Sequence, residues 1–406
     1  MPDRPHGENT RAVHLPPPPR FEQVPVGLPV WRTSAFAFRS SQEFADVLSG
    51  REAGYSYARV DSPTADAFAE AVAVLEGVGL DQEATGQPFA SGMAAIAATL
   101  MAFTGQGEHV VASRTVYGQT FSLLDRVLRR FGVDADFVDV TDLDAVRAAM
   151  RPKTRLVWAE TIANPTTTVA DLPSLAAIAH EAGALLAVDS TFASPAVCRP
   201  LPLGADLVVH SATKYMGGHN DATGGVVVGR PSLLSEVRAM RIETGGVLAP
   251  DEAFLLRRGL ETLPLRVRRQ CATAHVFAAT IEKHPSVDRV EYPGLESHPG
   301  HALARKLFDA GPEGTRFGGI VTVTPRGGRE AGVAFADSLR LAMVASSLGG
   351  THTKVSPVAT TTHRQLDDAA LAAAGIAPGA VRLSIGLEDP DDLVADAVQA
   401  LDTISW

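Results

Sequence analysis

Between residues 109 and 228 the chain repeats one pattern: a short, nearly unbroken apolar run closed by turn residues. The runs fall at 109–112, 137–140, 156–159, 185–188, 207–210 and 226–228, and helix-like stretches at 120–131, 143–150 and 172–182 lie between several of them. Strands that alternate with helices predict an α/β fold whose mostly parallel sheet is covered on both faces. Ligands in such sheets bind beyond the carboxyl ends of the strands, so the residues just after each run are the first to inspect.

The flanks read differently. Residues 1–63 are proline-rich, with Pro16 to Pro19 in a row, and show little periodicity. They predict an N-terminal arm without a core of its own, packed on another domain or subunit. The α/β unit is expected over 64–262. It opens with a helix at 65–77 that places Phe68, Val72 and Leu75 on one face. A second helix starts at Ser91-Gly92-Met93 and runs through Ile96, Leu100 and Met101. Residues 263–406 predict a smaller α+β domain, with strands at 321–324 and 381–385 and helices at 332–340 and 391–404.

A net charge of −10 gives nucleic-acid binding no electrostatic support. The two cysteines, Cys198 and Cys271, form no CxxC or Cys/His cluster, which fits a reducing compartment and no structural zinc. His219 and Asp221 have no third ligand at metal spacing. No run approaches the roughly 20 apolar residues that span a bilayer. The N-terminus lacks the order of a secretory signal. The expectation is a cytoplasmic protein with a small-molecule partner.

Only five lysines occur in the chain, and Lys214 alone sits in a small-residue, glycine-rich setting. Asp189, which closes the run at 185–188, lies 25 residues before it, with the strand at 207–210 between them. Both can therefore reach the same sheet edge. Pyridoxal 5′-phosphate needs a lysine to hold its aldehyde and a carboxylate to face its pyridine nitrogen. Its phosphate needs hydroxyls and backbone N–H groups at a helix start, which Ser211, Thr213, Gly92 and Met93 can provide. Taken singly, an aspartate after a strand is as well explained as a cap, and a lone lysine as surface charge. Their joint placement, followed by Gly217, Gly218, Gly224 and Gly225, favours the cofactor.

The segment HSATKYMGGH at 210–219 resembles the lysine signature of the Cys/Met-metabolism family, fold-type I pyridoxal-phosphate enzymes that include cystathionine γ-synthase, cystathionine γ-lyase and methionine γ-lyase. Further matches are SGMAAI at 91–96, VYG at 116–118, Asn164-Pro165, VDSTF at 188–192 (which includes Thr191), SLGG at 347–350 and VRLS at 381–384. The resemblance runs from about residue 27 to the C-terminus and implies a seven-stranded sheet. It also implies that Tyr117 stacks on the cofactor ring and serves as acid to the leaving group, that Thr191 and Asn164 contact the cofactor, and that Tyr57 and Arg59 cross to a neighbouring subunit's phosphate. Arg382 would bind the substrate carboxylate, with Ser347 and Asn164 assisting. A tetramer built from dimers with shared sites follows.

The implied reaction is α,γ-elimination from a methionine- or cystathionine-like amino acid to 2-oxobutyrate, ammonia and a thiol. Gln119 stands where methionine γ-lyases carry a cysteine, and Thr351-His352-Thr353 where cystathionine enzymes place a glutamate. The segment at 361–366 also resembles O-acetylhomoserine sulfhydrylases, so γ-replacement on an activated homoserine is the alternative. An aminotransferase and a non-catalytic dimerisation module stand further off.

Overall fold

Seven strands make the central sheet: β1 (Thr85–Phe89), β2 (His109–Ser113), β3 (Asp134–Val138), β4 (Thr154–Glu160), β5 (Leu185–Asp189), β6 (Leu207–His210) and β7 (Gly225–Gly229). The structure is a computed structural model and describes residues 23–361, 364 and 367–404. The run Pro16 to Pro19 and most of the segment at 361–366 lie outside the described residues.

The strand order is β1-β7-β6-β5-β4-β2-β3. Strands β3, β2, β4, β5 and β6 are parallel, and β7 runs antiparallel to both of its neighbours. Each of the apolar runs falls on a strand, though the run at 137–140 meets β3 only at its end. The sequence carries no alternation because both faces are dry. Val157, Leu186, Val188 and Val208 pack on one side with helices Pro63–Glu76 and Leu172–Glu181. Leu156, Trp158, Ala187, Leu207 and Val209 pack on the other with helix Gly92–Phe103. Each fully buried aliphatic side chain contributes about 1.5–3 kcal/mol, so this double-sided core fixes the register of the strand ends.

Helix Gly92–Phe103 begins where Ser91 Oγ accepts the Ala94 N–H at 3.1 Å. The stretch expected as one helix at 120–131 changes its winding instead. It is α-helical over Gly118–Ser122, π over Leu123–Val127 and 3₁₀ over Leu128–Phe131, and ends on Gly132 at φ 82°.

Beyond the long helix Leu263–Ile281, β8 (Val287–Glu291), β11 (Ile320–Pro325), β12 (Met343–Val344), β13 (Lys354–Pro357) and β14 (Val381–Ser384) form a five-stranded sheet. A small hairpin, β9 (Ala310–Gly311) and β10 (Gly314–Thr315), lies apart. The second sheet has its own apolar core around Val290, Val321, Val323 and Leu383, closed by helices Leu263–Ile281 and Pro390–Asp402. Ahead of the first sheet, the arm contains helix Ser41–Leu48, which buries none of its residues, and leaves Val24, Val26 and Phe44 exposed. Among the described residues no helix is long and apolar enough to cross a membrane.

Candidate active site

A cavity of about 440 Å³ opens where β4, β5 and β6 end, and residues of the second sheet close it. Asp189 is the last residue of β5 and is buried. Its Oδ1 accepts the Thr191 N–H at 2.9 Å. Burial raises its carboxyl above the usual carboxylate range, opposed by the Thr191 hydrogen bonds and by His210. Thr191 Oγ1 in turn accepts the Ser211 N–H at 2.8 Å, tying the end of β5 to the turn after β6.

Lys214 lies in that turn. Burial, then the charges of Arg382 and Lys354, lower its amine to about 8. Its Nζ donates to Ser347 Oγ at 2.8 Å. Thr213 Oγ1 bonds both the carbonyl and the N–H of Gly224, at 3.2 and 3.0 Å. Ser211 and Thr213 face the cavity beside Gly92 and Met93, the first residues of helix Gly92–Phe103. A β-carbon on Gly92 would come within 2.6 Å of Ser211 Cβ, so only glycine leaves this cradle open. A helix start, two hydroxyls and a glycine with no room for a side chain suit a phosphate group.

Arg382 enters the cavity from β14 and is 4% exposed. Nη1 donates to Asn164 Oδ1 at 3.0 Å and Nη2 to the Ser347 carbonyl at 3.2 Å, while Nε, also buried, has no partner. It forms no salt bridge with any described carboxylate, and burial lowers its pKa to about 10. An internal ion pair would be the other explanation for a buried arginine on a strand, and none is present among the described residues. A buried guanidinium held only by neutral oxygens suits an incoming carboxylate. Ser347 occupies the left-handed region at φ 73°, a conformation that costs of order 1–3 kcal/mol for a residue with a β-carbon.

Tyr117 stands between β2 and helix Gly118–Ser122 and lines the same cavity, half-exposed. Tyr57 and Arg59 do not join it. Tyr57 is exposed, and Arg59 Nη1 donates to the Ile242 carbonyl at 2.8 Å on a separate surface cleft. Gln119 and Thr351 to Thr353 do not line the cavity either. Among the described residues no three His, Cys, Asp or Glu side chains gather as a metal site.

Glu160 was not singled out from sequence. It is the last residue of β4, pairs in register with Asp189, lines the cavity and is 7% exposed. Burial and the adjacent Asp189 hold its carboxyl well above the usual range. It lies just past the run at 156–159, the position that the strand-end argument marks for inspection.

Residues 9–402 match the family model described as Cys/Met metabolism PLP-dependent enzyme. An L-methionine gamma-lyase of Fusobacterium nucleatum is 41% identical over 93% of this chain and 94% of its own length. An O-succinylhomoserine sulfhydrylase of Pseudomonas aeruginosa is 41% identical over 92% of this chain and 90% of its own. A solved O-acetylhomoserine (thiol)-lyase of Campylobacter jejuni, which carries N′-pyridoxyl-lysine-5′-monophosphate, has a TM-score of 0.87 at 30% identity, covering 93% of this chain and 95% of that one.

Proposed function

The chain belongs to the Cys/Met-metabolism family of pyridoxal-phosphate-dependent enzymes, and on that premise we propose that it is a carbon–sulfur γ-lyase acting on methionine-like or cystathionine-like amino acids. Its architecture is the fold-type I α/β fold. The observation that carries the reading is the placement of Lys214, Asp189 and Arg382 on one cavity, with an amine near neutrality, a buried acid and a buried cation lacking an acidic partner.

Lys214 would hold the cofactor aldehyde, Asp189 its ring nitrogen, and Ser211, Thr213, Gly92 and Met93 its phosphate. Thr191 braces Asp189, Asn164 would meet the ring oxygen and Tyr117 would flank the ring. When bound, pyridoxal 5′-phosphate supplies the electron sink that lets an amino acid lose protons next to its nitrogen. Arg382, with Ser347 and Asn164, orients the α-carboxylate and so aims the Cα–H at Lys214. The amine, with its lowered pKa, can take that proton and move it onward. Tyr117 can deliver a proton to sulfur as the Cγ–S bond breaks. With methionine, one water is consumed and 2-oxobutyrate, ammonia and methanethiol leave.

Incubation with methionine, cystathionine, and O-acetyl- or O-succinylhomoserine plus sulfide or methanethiol tests this, with 2-oxobutyrate, homocysteine (from sulfide) and methionine (from methanethiol) as readouts. Formation of 2-oxobutyrate from a thioether without added thiol is expected. Turnover of the esters alone, and only with thiol, would replace the lyase reading by γ-replacement, which the sulfhydrylase relative favours. A cytoplasmic enzyme assembled as a dimer of dimers, each arm serving its neighbour through Tyr57 and Arg59, completes the proposal.

A further inference from the structure

Glu160 is buried beside a second acid, yet no described arginine, lysine or histidine forms a salt bridge with it. In-register neighbours on parallel strands point to the same face, about 5 Å apart. Two carboxyl groups so placed cannot both stay ionised in the interior. Glu160 spends its oxygens on backbone. Oε1 accepts the Tyr117 N–H at 2.6 Å and Oε2 lies 3.4 Å from the Asn164 N–H. The Tyr117 side chain makes no hydrogen bond to a described residue, so its backbone anchors decide where the ring sits. Those anchors are the Glu160 contact and the bond from the Phe121 N–H to the Tyr117 carbonyl at 3.0 Å. Asn164, on the second loop, accepts from Arg382 Nη1.

We propose that Glu160 is a positioning residue: one buried side chain that clamps the Tyr117 loop to the Asn164 loop and thereby sets the phenol and, through Asn164, the Arg382 guanidinium around the reacting amino acid. The proposal takes the roles of Tyr117 and Asn164 from the functional reading above. The clamp itself is independent of that reading. It works through an acceptor oxygen rather than through charge, because the acid beside it disfavours a second ionised group.

Three variants separate the possibilities. Glu160→Gln keeps an acceptor for the Tyr117 N–H. Glu160→Met keeps the volume and removes both oxygens. Tyr117→Ala removes the side chain being positioned. In the apoprotein, hydrogen exchange of the Tyr117 and Asn164 amides should quicken at least about tenfold in Glu160→Met and stay near wild type in Glu160→Gln. Unchanged exchange in Glu160→Met overturns the proposal. In the reconstituted protein, Glu160→Met should lower kcat/KM at least about tenfold, and by a clearly smaller factor when Tyr117 is already alanine, the remaining loss coming through Asn164 and Arg382. Equal losses in both backgrounds, or a Glu160→Gln as impaired as Glu160→Met, also overturn it. A wild-type protein that binds no cofactor while its exchange behaves as expected sinks the functional reading and leaves the clamp standing. Should Glu160→Met not fold, Glu160→Gln still decides: a tenfold loss there excludes an acceptor role, and wild-type behaviour supports it.

Discussion

Lys214 Nζ and Ser347 Oγ, 133 positions apart in the chain, meet at 2.8 Å across the seam between the two sheets. The serine oxygen is an acceptor for an amine that burial and two neighbouring cations disfavour as ammonium. Below a pH of about 8 Lys214 is protonated, and above it the free amine dominates. Covalent capture of pyridoxal 5′-phosphate by apoprotein, followed by borohydride trapping, should therefore rise with pH up to about 8 and then level off. Ser347→Ala removes an acceptor for the charged form, so the break should move to lower pH. A break that stays in place, or moves up, contradicts this account of the amine.

Arg382 predicts opposite effects on binding and on stability. Arg382→Leu deletes the group offered to the substrate carboxylate, and truncating one partner of a buried charge pair costs about 2–5 kcal/mol, so KM should rise at least about thirtyfold. The same change removes a buried cation with no acidic partner and an unpartnered Nε, so the melting temperature of the substrate-free protein should hold or rise. Unchanged KM together with a large fall in melting temperature would make Arg382 a structural residue.

Gly92 isolates the phosphate end of the cavity. An alanine there must push against Ser211, with contacts of 2.6 Å to Cβ and 2.9 Å to Cα and Oγ. The helix behind it is capped by Ser91 and packed through Ile96 and Leu100, so it should still fold. Gly92→Ala should weaken pyridoxal 5′-phosphate binding at least about tenfold, which is about 1.4 kcal/mol, in equilibrium titration of the apoprotein. Wild-type affinity would move the phosphate away from this helix start.

Strands buried on both faces were the legible ones. The strands at 109–112, 156–159, 185–188, 207–210 and 226–228 declared themselves because each is apolar on both faces. β1 did not, since Gly86 and Pro88 interrupt it. Gly86 answers to a different demand, a β-carbon there lying 2.4 Å from the Ala69 carbonyl of the helix packed on it. β8 escaped notice because only Val287 and Val290 turn inward. The basic cluster at 266–269 gave no sign that Arg266 is buried, donating to the carbonyls of Tyr215, Met216 and Gly259. Lys214 and Asp189 were legible because their chemistry is written in residue type. The hold of Glu160 on two backbone N–H groups is not, because any residue at 117 or 164 other than proline carries the same donor.

Arg59 provides the last test, because its own chain leaves it away from the cavity. It rests on the Ile242 carbonyl at 2.8 Å, and its guanidinium lies 5.9 Å from the Tyr57 ring centre, with no acid paired to it among the described residues. If each arm serves a neighbouring site, Arg59→Ala damages the partner's cavity and Lys214→Ala its own. Each variant alone should be nearly inactive. Mixed, unfolded and refolded together in equal amounts, they form hybrid dimers in which the site built on the Arg59→Ala chain receives an intact arm from the Lys214→Ala chain. One site in each hybrid is then complete, and random pairing restores about a quarter of wild-type activity. If Arg59 acted within its own chain, every site in the mixture would lack either its lysine or its arginine. No activity would return at any mixing ratio, and the shared-site arrangement would have to be abandoned.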